Sequence, residues 1–364
     1  MVYPVYASEW GLSSLTTTTI FAVYPVSLVL VLVTFGTISD HVGRRRVLVA
    51  GMVSVAFGTL LLALAPELSW LYAGRMLQGV GVGLAMSPAS ASLVEFSRRG
   101  GSRSASGVNT AATAGGTAAA ILIGGALVQY APDPTRLPFW VLFVVTLIIV
   151  ALVWFFPETA QSSSRWRPRS LTIPSGIRWV FFVGTASVTT SFAMGAVFLA
   201  LGAQIAKEFV GNDNAFASAA VLSSWALVII PVSWIGRTLR PRSATTIGGV
   251  LSLIGLLGLI PAGESASLLL FLAASLVSGG GYGLLFLGGL GLVNEHAPKE
   301  RRAGTLSVMY LIAYLVQGLT AVAVGLSATT TDIADAIFLW TPIIGGACLL
   351  SGILAALPRF RRRS

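Results

Sequence analysis

Few residues in this chain of 364 can do acid–base, metal or nucleophilic chemistry. The two histidines, His41 and His296, lie in different loops without catalytic neighbours. The one cysteine, Cys348, excludes a disulfide scaffold and a cysteine-based metal site. No G-x-x-x-x-G-K-[ST] loop occurs, so nucleotide hydrolysis has no phosphate cradle. No catalytic residue, metal or cofactor is expected. Two charged groups nevertheless sit where charge is costly or bistable. Arg75 lies inside the apolar stretch 69–93, where an arginine costs up to ~2.5–3.5 kcal/mol on insertion scales, so it should face the interior with Gln78, three residues on. Asp40 stands in a short polar step, Gly36-Thr37-Ile38-Ser39-Asp40-His41-Val42-Gly43-Arg44-Arg45-Arg46, between two such stretches.

The elements that must position these groups are membrane spans. Hydrophobic residues make up 55% of the chain and charged residues 10%, against about 25% charged in a soluble domain. Stretches long enough to cross a bilayer as helices fall near 15–38, 47–65, 69–93, 105–130, 137–156, 179–205, 216–236, 244–262, 267–292, 304–327 and 333–357. The alternating strands of an outer-membrane barrel are absent, so the fold class is an all-α polytopic bundle of eleven visible helices. Every second loop is basic, and those six loops hold 20 of the 23 Lys and Arg. The net +10 thus resolves into +15 on one side, −6 on the other, and Arg75 between. Positive loops predict that side, with the C-terminus, to be cytoplasmic. The arginine runs read as topology signals and lipid contacts, not as a nucleic-acid surface. Arginine outnumbers lysine 21 to 2, which suggests a GC-rich bacterial genome and the inner membrane.

The spans repeat at an offset near 200 residues, and Leu93-Val94-Glu95 echoes Leu292-Val293-Asn294-Glu295. Parallel six-helix halves of this kind are a transporter architecture. The division expected is residues 1–156 as the first bundle, 157–178 as a polar cytoplasmic linker, and 179–364 as a six-helix bundle with a basic tail. Span 179–205 alone lacks a mate, which implies that a first helix is absent from this sequence; a genuine eleven-helix chain is the alternative.

The step at 36–46 resembles the loop signature of the major facilitator superfamily, G-x-L-a-D-R-x-G-R-[RK]-x-x-L. Gly36, Asp40, Gly43, Arg44 and Arg45 match in place, and His41 replaces an arginine. The resemblance implies a latch in which the Asp40 carboxylate meets cationic groups or a helix N-terminus of the opposite half in one of two states, with Glu95, at the basic end of span 69–93, as the acidic end of the same relay; breaking and remaking such contacts biases a two-state equilibrium. Arg75-Met76-Leu77-Gln78-Gly79-Val80-Gly81 is similar to the R-x-x-Q-G-x-G pattern of the family's fourth helix. Gly107, Gly116, Gly124 and Gly125 match the antiporter signature G-x8-G-x3-G-P-x2-G-G, although Ala120-Ile121 replaces its Gly-Pro, and they read as a helix-packing motif of the drug-efflux branch. Pro157-Glu158-Thr159 is similar to the family's usual close of the first half. The resemblance further implies a pathway lined by the family's first, fourth, seventh and tenth helices, here the absent helix and spans 69–93, 179–205 and 267–292, with Arg75, Gln78, Met86, Phe192, Met194, Gln204, Tyr282 and Phe286. Asn109, Tyr310, Tyr314 and Gln317 flank it. Aromatic and Met side chains suit amphipathic molecules. The expected partners are a small-molecule substrate, protons as the candidate coupling ion, and the lipid bilayer, with the chain a monomer. No Asp, Glu or His lies mid-span, so proton coupling has no visible carrier. Export of a single metabolite or sugar, or a transport-incompetent truncated form, are the other readings.

Overall fold

The computed structural model describes residues 2, 6, 9–12, 14–36, 38–96, 101–158, 173, 175–200, 214–298, 301–331 and 333–357. Among them every regular element is a helix. The long helices are α1 (Ser14–Phe35), α2 (Arg44–Leu64), α3 (Leu68–Phe96), α4 (Gly101–Tyr130), α5 (Leu137–Trp154), α6 (Arg178–Ala200), α7 (Ala215–Gly236), α8 (Pro241–Glu264), α9 (Leu268–His296), α10 (Arg302–Thr330) and α11 (Ile333–Ala356). Ten are long and apolar enough to cross a membrane, and α1 contributes a shorter apolar stretch, Ala22–Phe35. The chain is thus a multi-pass membrane protein whose helices follow the apolar runs of the sequence. Of the expected span 179–205, the part beyond Ala200, with Gln204, lies outside the described residues.

Helix ends follow local chemistry. Asn214 caps α7 by accepting the amide of Ala217 at 2.9 Å, and Ser267 accepts that of Leu270 at 3.4 Å at the start of α9. At the end of α11 the guanidinium of Arg242 donates to the carbonyls of Ala355 (3.3 Å) and Leu357 (2.6 Å), satisfying acceptors that no further turn can reach. Within α7 the chain divides into Ala215–Leu227 and Ile229–Gly236. Pro231 explains the division, since it has no N–H to offer the Leu227 carbonyl.

By contacts the chain groups into two compact units. One comprises Met1–Phe96, Ala126–Thr172 and Pro298–Leu315; the other comprises Ser97–Gly125, Ile173–Ala297 and Val316–Ser364. In the first, α2 and α3 approach backbone to backbone. A Cβ on Gly58 would meet the Gly74 carbonyl at 2.6 Å, and one on Gly74 would meet the Gly58 carbonyl at 2.7 Å. At the acidic-loop end Tyr6, Ile20, Leu62, Ala65 and Leu71 form a buried cluster, joined by Trp10 and Phe139. The Tyr6 hydroxyl donates to the Thr135 carbonyl at 3.0 Å. In the second unit α9 is central. A Cβ on Gly248 of α8 would meet its Leu285 amide at 2.6 Å, and one on Gly184 of α6 would meet its Gly289 carbonyl at 2.8 Å. Cys348, on α11, is fully buried and donates to the Thr190 carbonyl at 3.7 Å.

Candidate functional site

The step between α1 and α2 is built around two glycines. A Cβ on Gly36 would fall 2.7 Å from the Ser307 hydroxyl of α10, and that hydroxyl donates to the Gly36 carbonyl at 2.9 Å. Ser307 also shares a hydrogen bond with Ser87 of α3 (2.7 Å), and one turn on Ser90 meets the Tyr310 hydroxyl at 3.2 Å. All five residues are buried in the first unit. A one-turn helix, Ser39–Val42, follows. It contains the backbone of Asp40, whose side chain lies outside the described residues. Gly43 then adopts φ +114°, a conformation that suits glycine, and offers α2 no capping side chain.

The missing cap comes from far along the chain. Glu158 Oε1 accepts the amide of Arg44 at 2.7 Å and that of Arg45 at 3.4 Å, placing a carboxylate on the positive end of α2. A Cβ on Gly43 would sit 2.5 Å from Glu158 Oε2, so the close approach itself requires glycine. Arg44 Nη2 meets Glu95 Oε1 at 2.7 Å, with Arg44 buried and Glu95 about one-third exposed at 34%. Arg45 Nη1 donates to the Phe156 carbonyl at 3.2 Å. Glu158, known from the sequence only as part of a closing motif, therefore joins Arg44 and Glu95 in one network. The signal for it was a helix starting Gly43-Arg44-Arg45-Arg46, which carries no acceptor of its own.

On α3 the guanidinium of Arg75 donates through Nη1 to Gln78 Oε1 at 3.1 Å, one turn away as their spacing requires. Gln78 passes its own donor to Thr59 of α2 at 2.9 Å. The Tyr24 ring of α1 lies 5.7 Å from Arg75 Cζ. Thr59 and Tyr24 complete this interior polar group. Met86, further along α3, is half-buried.

In the second unit the structure brings Phe192, Tyr282 and Phe286 together. Ring centroids are 5.6 Å apart for Phe192–Phe286 and 6.2 Å for Tyr282–Phe286. Trp225 of α7 and Phe198 of α6 extend the group: Trp225 stands edge-on to Tyr282 at 4.9 Å and stacks on Phe198 at 4.8 Å. These two have no polar or spacing signal that marks them in sequence. Gly195 leaves the rings room, since a Cβ there would lie 3.4 Å from Tyr282 and 3.9 Å from Gln317. Met194 is fully buried, and Asn109 is half-buried with its carbonyl accepting from Thr113 at 2.8 Å. The α4 glycines divide. Gly107 lies against Arg237 Cβ (3.1 Å from an added Cβ), and Gly125 lies against Ala219. Gly116 and Gly124 meet no described atom within 4 Å, because the helical period turns them away from α7.

The sequence model of the Major Facilitator Superfamily matches residues 1–321. The chain belongs to this superfamily. Among curated relatives, the multidrug efflux pump LfrA of Mycolicibacterium smegmatis is 28% identical over 269 residues, 71% of this chain and 49% of that protein. The puromycin resistance protein pur8 of Streptomyces alboniger is 31% identical over 129 residues, 35% of this chain and 25% of that protein. The chain thus matches about half the length of the first relative and a quarter of the second. Two solved superfamily folds superpose over 97% of the chain and 88% of their own, each at 14% identity. They are the proton:xylose symporter XylE bound to 6-bromo-6-deoxy-D-glucose (TM-score 0.77) and the human organic anion transporter MFSD10 (TM-score 0.74).

Proposed function

We propose that this superfamily member is a secondary transporter that exports small amphipathic molecules by alternating access. The observation that carries the reading is the grip on Arg44. Its backbone is held by Glu158 and its side chain by Glu95, so two breakable contacts fix one loop. Such contacts favour one of two arrangements and can be remade in the other. In this reading Gly36, Asp40, Gly43, Arg44, Arg45 and Glu95 form the gate. Arg75, Gln78, Met86, Asn109, Phe192, Met194, Tyr282 and Phe286 line the path, and Gly107, Gly116, Gly124 and Gly125 belong to the antiporter-like helix. The halves are 1–156 and 179–364, joined by 157–178, and the basic loops face the cytoplasm of a bacterium.

Two features support the substrate class: the ring cluster of α6, α7 and α9, and the likeness to proteins named for multidrug efflux and puromycin resistance. The protein works as a monomer in the bilayer, exchanging substrate for protons. The deciding experiment loads proteoliposomes with a lipophilic fluorescent dye and follows dye movement under an imposed proton gradient. Wild-type protein should move dye, and Asp40→Asn should impair movement at unchanged protein level. Movement independent of the gradient, or full activity in Asp40→Asn, overturns coupling or gating respectively. A panel in which no lipophilic compound moves overturns the substrate class in favour of a single metabolite.

A further inference from the structure

We propose that the basic-loop end of α7 holds one anionic phospholipid, with its phosphate on Arg237 and its acyl chain along the outer face of the helix. The argument begins with the order of side chains on that face. Leu227, Trp234 and Ile235 are seven and eight residues apart, which places them on one side of a helix, and all are exposed. Trp234 is 59% exposed and Ile235 67%, unusually open for large apolar groups unless lipid covers them. One turn beyond Trp234, on the same face, comes Arg237. Its guanidinium carbon lies 3.5 Å from the indole centroid, a cation–π contact. Aliphatic, aromatic, cation is the order in which a phospholipid presents acyl chain, glycerol region and phosphate.

The donors of Arg237 are not otherwise used. Among the described residues its guanidinium has no hydrogen bond and no ion pair; the ring of Trp234 is its one recorded partner. Nearby hydroxyls are already satisfied, Ser233 by the Ile229 carbonyl (2.6 Å) and Thr238 by the Ile235 carbonyl (2.8 Å). Arg242, in the same loop, serves the end of α11. The stem of Arg237 is fixed, because Gly107 of α4 lies directly beneath its Cβ. A planar guanidinium held on a ring keeps its N–H groups along its edge, where they match the oxygens of a phosphate. Arg240, exposed three residues later, adds a second positive charge near this end of α7. A zwitterionic lipid would bring its own cation to this patch, so charge complementarity selects an anionic headgroup.

The test is native mass spectrometry of the purified full chain, released from micelles containing phosphatidylglycerol or phosphatidylcholine of identical acyl chains. Wild type should retain one phosphatidylglycerol in preference to phosphatidylcholine. Arg237→Gln should lower that retention about fivefold, the factor expected for one basic residue at an anionic surface. Trp234→Leu should lower it less, and Arg46→Gln, an exposed arginine in the first turn of α2, should leave it unchanged. Equal retention of both lipids, or adducts that survive Arg237→Gln, overturns the proposal. So does occupancy of the site by inorganic phosphate alone, which would make the ligand a soluble anion. Unchanged melting temperatures across the variants exclude misfolding as the cause of a loss.

Discussion

Residues 36–45, where α1 meets α2, and 236–245, where α7 meets α8, are held by different forces. In the first, a buried arginine is gripped by two carboxylates, and the helix it starts is capped from more than a hundred residues away. In the second, α8 starts at Pro241 with no side-chain cap, and the approach is made by close packing in which Ala244 is fully buried. A Cβ on Gly288 of α9 would meet the Thr245 amide at 2.7 Å and the Pro241 carbonyl at 2.8 Å. Charge complementarity tolerates separation and re-formation, whereas backbone packed at this distance is bistable or rigid and deforms little. The comparison teaches that a step between two helices can be held by charged contacts in one place and by backbone packing in another.

Placing a cation in the packed step breaks the comparison most sharply. Ala244→Arg forces an unpaired cation into a space with no room, and should cost about 4 kcal/mol or more. It is expected to abolish monodisperse protein on size-exclusion chromatography; wild-type behaviour would mean the two steps are interchangeable. Glu95→Ala should come next, costing about 2–3 kcal/mol because it strands the buried Arg44 guanidinium. A double-mutant cycle with Arg44→Met, read by chemical unfolding, should show strong coupling. Glu158→Ala removes the remote cap of α2 and should cost about 1 kcal/mol, visible as a lower melting temperature in detergent. The smallest effect belongs to the second step's own charged contact. Arg242→Gln releases the carbonyls at the end of α11 and should cost about 0.5–1 kcal/mol, fading at high salt. If Arg242→Gln exceeds Glu95→Ala, charge matters more in the second step than in the first.

The spans were legible because each needs about twenty apolar residues, and no other arrangement hides such runs. Arg75 and Gln78 were legible as a pair for an equally simple reason, since a spacing of three fixes a shared helix face. Contacts between distant segments were not. Glu158 lies 114 residues from Arg44, and only the lack of any acceptor at Gly43-Arg44 pointed to a partner. Trp225 and Phe198 look like ordinary apolar residues until α6, α7 and α9 are set side by side. The glycine spacing on α4 drew four positions into one motif, but a spacing has no knowledge of neighbours. Gly107 and Gly125 turn toward α7, while Gly116 and Gly124 do not.

Cys348 carries a practical consequence. It is the chain's one thiol, and it lies wholly inside the helices, out of reach of water-borne reagents. The native chain is therefore chemically silent toward maleimides, and any cysteine introduced at an exposed loop position becomes its sole reactive handle. Spin labels or fluorophores could be attached at chosen points without first removing a native residue.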